Sequence, residues 1–69
     1  MTQKELDYVE DAIGHENNII KICQETMNFL EDENLITFMD NELSNHMSMK
    51  EQLMNMMEVK SNEWSITTW

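Results

Sequence analysis

The sequence has no proline, no arginine, one glycine and one cysteine among 69 residues. With so little proline and glycine it is neither a loop-rich chain nor a low-complexity linker. A single cysteine makes no internal disulfide, so the stapled scaffold of small secreted domains is excluded. The cationic residues are only Lys4, Lys21, Lys50 and Lys60, against 14 acidic ones, for a formal net charge of −10. Nucleic-acid binding rests on neutralised phosphates, so nucleic acid is excluded as a partner. Attraction to an anionic membrane surface is disfavoured for the same reason. No apolar run approaches the roughly 20 residues of a membrane span. Met1-Thr2-Gln3-Lys4-Glu5 lacks the basic start and apolar stretch of a signal peptide. The expected location is therefore cytoplasmic.

Below about 70–80 residues a single core seldom supplies enough stability. With disulfides excluded, a metal or a partner chain remains. What the sequence does contain is helical periodicity, filling residues 1–60. Leu6, Val9, Ile13, Ile20, Cys23, Met27 and Leu30 form a heptad seam interrupted only by Glu16. A second stripe, Tyr8, Ala12, His15, Ile19, Ile22, Thr26 and Phe29, runs beside it. Glu31-Asp32-Glu33-Asn34 breaks the pattern. Asp32 is a good N-cap, Asn34 competes with it, and Glu33 suits the positive end of the following helix dipole. The second helix reads as one seam of Leu35, Met39, Glu42, His46, Met49, Leu53 and Met56. Its neighbour is Ile36, Asp40, Leu43, Met47, Lys50, Met54 and Met57.

These patterns predict an all-α chain: helix one over 3–30, helix two over 33–60, joined as an antiparallel hairpin. Two apolar stripes on one helix call for two neighbours. The expectation is a homodimer in which two hairpins form a four-helix bundle. Residues 61–69 leave the helical period and read as a C-terminal tail that packs on the bundle, binds a partner or is partly disordered; packing is the expectation, because the Trp64 and Trp69 rings are costly to leave in water.

Glu16, Glu42 and His46 each interrupt a seam that otherwise faces inward. With the turn centred near residues 31–32, Glu16 and His46 fall at nearly the same level, and Glu42 sits one turn from His46 on the same face. Doubled in a dimer, four carboxylates and two imidazoles point toward the bundle axis. That donor set suits iron, manganese or zinc. The structural reading stands beside it: a buried carboxylate needs a donor, and Glu16 finds one in His46 or a lysine and fixes register. His15 reads as a structural residue and Cys23 as a small core residue. Gly14 permits close helix approach, bends the helix, or is merely tolerated. The methionines of helix two read as core or as an adaptable partner surface. No nucleophile–base pair, phosphate loop or deep pocket is expected, so the chain reads as non-enzymatic.

Leu6-Asp7-Tyr8-Val9-Glu10-Asp11-Ala12, His15-Glu16, Asp32-Glu33-Asn34-Leu35 and the late His46 together resemble the small coat-F-like spore proteins of the ferritin-like superfamily. The similarity covers roughly residues 5–58. It implies a ferritin-like helical bundle, a structural role in the spore coat, and other coat or regulatory proteins as further partners. It carries Glu16 and His46 over as ligand-like positions. The family signature also has a Glu three residues before the His, where this chain has Leu43, with Glu42 four before. Longer family members hold more helices per chain, which again points to dimerisation here.

Overall fold

In the computed structural model the chain is two α-helices packed side by side, α1 over Gln3–Met27 and α2 over Glu33–Thr68. Backbone is described for residues 1–68 and side chains for residues 1–57. Among the described residues there is no strand and no helix long and apolar enough to cross a membrane. The all-α antiparallel hairpin is thus the fold of the chain.

Helix α1 begins at a capping box. The Thr2 hydroxyl accepts from the Glu5 N–H at 3.1 Å, and the Thr2 N–H donates to Glu5 Oε1 at 2.9 Å. Two otherwise orphaned donors are satisfied reciprocally. The Thr2 backbone N–H, then its hydroxyl, stabilise the Glu5 carboxylate and lower its pKa from the usual value. A lowered folded-state pKa means the carboxylate's contribution is complete above the ordinary carboxylate range and is lost as pH falls through the lowered value. By NMR, the Thr2 amide resonance is expected to titrate with Glu5 at a pH below that range, and Glu5→Gln to abolish the titration.

Helix α1 ends at Met27, not at Leu30 as the apolar pattern predicted. Asn28, Phe29 and Leu30 donate to the carbonyls of Glu25, Thr26 and Met27, a tightening to three-residue spacing that satisfies the last orphan acceptors. Asp32 then caps α2. Its Oδ1 accepts from the N–H groups of Asn34 at 2.8 Å and Leu35 at 3.1 Å. Asp32 wins over Asn34, because Asn34 already lies inside the first turn.

Helix α2 continues past its expected end at Lys60 to Thr68. The expected tail conformation at 61–68 is therefore corrected to helix. No proline or glycine follows Gly14, so nothing in the backbone chemistry forces a stop; β-branched and aromatic residues lower helix propensity only by fractions of a kcal/mol (about 0.7 or less). The expected packing of Trp64 and Trp69 falls outside the described side chains.

The first seam of α1 faces α2. Cys23 is buried at 5% exposure as a free thiol, and Leu6, Val9, Ile13, Ile20, Met27 and Leu30 are half-buried. On α2 the inward line is Ile36, Met39, Leu43, His46, Lys50, Leu53 and Met57. This corrects the predicted seam, whose Leu35, Met49 and Met56 are exposed. The inward line is itself a heptad, spaced by three and four throughout; it joins Met39, His46 and Leu53 of the first predicted seam to Ile36, Leu43, Lys50 and Met57 of the second.

Gly14 lies exposed, and a Cβ built there would meet nothing within 4 Å. It mediates no close helix approach. Gly14→Ala is expected to stabilise the fold by about 0.5–1 kcal/mol, since the mid-helix glycine costs backbone entropy and supplies no contact. Thermal unfolding followed by circular dichroism checks this.

Candidate functional site

The polar centre of the hairpin is built on three residues. Glu16 occupies a seam position of α1, so helical geometry aims its side chain at α2, and it is buried at 8% exposure. His46 occupies the inward line of α2 at the same level. Its Nδ1 lies 2.6 Å from Glu16 Oε2. A carboxylate accepts, so His46 Nδ1–H is the donor, and a bond this short has the length of a charge-assisted pair. The sequence-predicted juxtaposition of Glu16 and His46 across the hairpin is present. The donor for Glu16 is His46 rather than a lysine.

Glu42 lies one turn before His46 on α2. Its Oε2 stands 3.7 Å from His46 Nε2, too far for a direct hydrogen bond. The imidazole is thus held on one side by a buried carboxylate and flanked on the other by a half-exposed one. No buried side-chain nitrogen or oxygen among the described residues lacks a partner. Glu16 Oε2 has its partner in His46, as a buried carboxylate oxygen requires.

One chain does not assemble a metal centre from these groups. Among the described residues, no group of three or more His, Cys, Asp or Glu side chains is placed to hold a metal ion. Glu16 spends its inward oxygen on His46. His46 Nε2 and Glu42 Oε2, 3.7 Å apart, are the two donor atoms left near each other. In carboxylate–histidine–metal arrangements the carboxylate fixes the ring while the other nitrogen ligates. By that chemistry Glu16 is an orienting group, and a single hairpin offers two donors.

The remaining candidates lie elsewhere. His15 is exposed on the second stripe of α1, away from the Glu16–His46 pair. Cys23 has no ligand partner. Lys21 and Glu25 form a long, exposed i,i+4 pair at 4.0 Å, and Lys4 lies 6.0 Å from the Tyr8 ring centre. Contacts of this kind contribute little.

Two features were not singled out in the sequence. Lys50, read there as one member of the second seam of α2, stands on the inward line. An open groove of about 550 Å³ runs beside it, with Ile20, Met47, Met54 and Met57 as its apolar wall and Glu51 at its edge. The signal for Lys50 was its heptad spacing with Ile36, Leu43 and Met57. No family model matches the chain, and no curated protein or solved structure matches it. The likeness to coat-F-like proteins rests on the residues quoted for it above.

Proposed function

We propose that the protein is a non-enzymatic, self-associating structural element, two hairpins pairing into a four-helix bundle. The observation that carries this is the thinness of the interior. Only Cys23 and Glu16 fall in the buried class among the described residues, and one of them is a carboxylate. Stable domains pack at least two layers around an apolar core. A hairpin is one layer of two helices, and it leaves Phe29 85% exposed. Covering such residues yields about 25 cal/mol per Å² removed from water. The resemblance to coat-F-like proteins of the ferritin-like superfamily supports a structural role of this kind, with the spore coat as the setting and other coat proteins as neighbours.

Sedimentation equilibrium at micromolar concentration is expected to give twice the chain mass of 8.3 kDa. A well-folded monomer at that concentration overturns the reading.

A second reading is a metal-binding half-bundle. The observation favouring it is the His46 ring, fixed through Nδ1 by Glu16 and open toward Glu42 at Nε2. The second hairpin would have to bring the missing donors, since one chain presents two. Iron, manganese or zinc suits carboxylate and imidazole donors. On the structural reading, elemental analysis of untagged protein is expected to find no stoichiometric metal, and chelation to leave the melting temperature unchanged. Stoichiometric metal that is lost in His46→Ala would favour the half-bundle instead.

A further inference from the structure

We infer that a second copy of this chain docks on one particular side of the hairpin, the side that carries Phe29 and Phe38. This rests on the self-association proposed above and adds which surface performs it.

The exposed apolar residues fall into two groups. On α1, Tyr8, Ile22 and Phe29 recur at heptad spacing with His15, each one residue before the inward positions Val9, Glu16, Cys23 and Leu30. On α2, Leu35, Met49 and Met56 recur at the same spacing with Glu42, each one residue before the inward positions Ile36, Leu43, Lys50 and Met57. Measured from the midline of each seam, at 100° per residue, the stripe lies about −125° round on α1 and about −75° round on α2. Antiparallel helices are related by a two-fold axis normal to the hairpin plane, and that axis leaves each face where it is. Offsets of the same sign therefore place both stripes on one side. Phe38, one turn beyond Leu35, joins them near the turn.

The opposite side has a different character. Its exposed large apolar residues, Met47 and Met54, come from α2, beside Lys50 and Glu51 in the open groove, and α1 adds only the half-buried Ile20. Helix α1 otherwise contributes exposed Glu10, Asn17 and Gln24 there. A four-helix bundle needs exposed apolar residues from both helices of each hairpin, and the Phe29–Phe38 side is the one that supplies them.

Charge points to a copy of the same chain as the occupant. The chain has 18 formally charged residues in 69. The stripe from Tyr8 to Phe29 contains none, and the stripe from Leu35 to Met56 contains only Glu42. A partner recognised by its basic charge would find only Glu42 to pair with on these stripes. A second chain with net charge −10 meets little like charge there, because Glu42 is the single carboxylate that either stripe carries.

The four exposed methionines of α2 act as built-in probes, since Met49 and Met56 lie on the proposed side and Met47 and Met54 on the other. Their exposures in the single hairpin are similar, between 45% and 60%. The full-length protein is treated with dilute hydrogen peroxide at a concentration where sedimentation gives the dimer, and again after dilution to the monomer. Peptide mass spectrometry then follows oxidation at each methionine. The expected result is several-fold slower oxidation of Met49 and Met56 in the dimer than in the diluted sample, with Met47 and Met54 unchanged. Protection of Met47 and Met54 in their place, or equal oxidation of all four in a proven dimer, overturns the assigned side and leaves self-association standing. A monomer at every concentration overturns both.

Discussion

Replacing His46 with leucine is expected to destabilise the protein by about 2–4 kcal/mol, because it strands Glu16 without a donor. The carboxylate is buried at 8% exposure, and its partner across the hairpin is the His46 imidazole at 2.6 Å. Losing the imidazole leaves it either to stay charged against weak solvation or to take up a proton, and both options cost free energy. The reverse change, Glu16→Leu, is expected to cost less. The His46 side chain keeps 22% of its surface in solvent and has Glu42 within 3.7 Å, so its free nitrogen still finds water or charge. The double variant Glu16→Leu/His46→Leu is expected to recover most of the stability or exceed wild type, since two apolar side chains then meet where a buried polar pair stood. Urea unfolding of the four proteins at one fixed concentration gives the cycle. The pair has no stabilising role if His46→Leu unfolds at the wild-type midpoint. If the double variant stays as unstable as His46→Leu, the polar pair contributes something beyond its own mutual compensation, such as fixing helix register.

That cycle concerns the part of the molecule most legible in the sequence. Glu16 broke an otherwise apolar seam, and a turn capped by Asp32 set the level at which it meets α2. Those two facts were enough to bring it to His46, because seam phase and turn position together fix axial register. The α1 seam was readable throughout, because apolar residues fill every position of it but Glu16. Helix α2 was not readable to the same degree. Its methionines are apolar at positions 47, 49, 54, 56 and 57, so hydrophobicity alone does not say which of them face α1. Two heptad lines one residue apart fit the pattern equally well, and the helix turns Lys50 and Met57 inward rather than Met49 and Met56. The end of α2 was misread for another reason. Ser61 to Thr68 is rich in residues with weak helix propensity, but propensity yields where no proline or glycine interrupts the chain. Gly14 was ambiguous because a sequence does not reveal what a missing side chain would touch, and the answer is open space.

The second large effect is expected in the dependence of stability on protein concentration. If folding and pairing are coupled, hundredfold dilution removes about 2.7 kcal/mol of stability per mole of dimer. The melting temperature followed by circular dichroism is then expected to fall steadily across such a series. A monomeric hairpin would melt at one temperature throughout. Phe38→Glu tests the same coupling from the surface side. Phe38 is exposed in the single hairpin and lies near the turn, away from the Glu16–His46 pair. The substitution therefore removes little intramolecular packing. It places a carboxylate on the nearly charge-free side, where the second copy brings another carboxylate opposite an apolar surface. Association is expected to weaken by at least about 100-fold, equivalent to roughly 2.7 kcal/mol, as burying an unpaired charge requires. Met54→Glu, on the groove side, is the matched control and is expected to leave the concentration dependence of wild type in place. The paired fold is ruled out if dilution leaves wild-type melting unmoved. Its geometry fails if Met54→Glu, and not Phe38→Glu, abolishes the dependence.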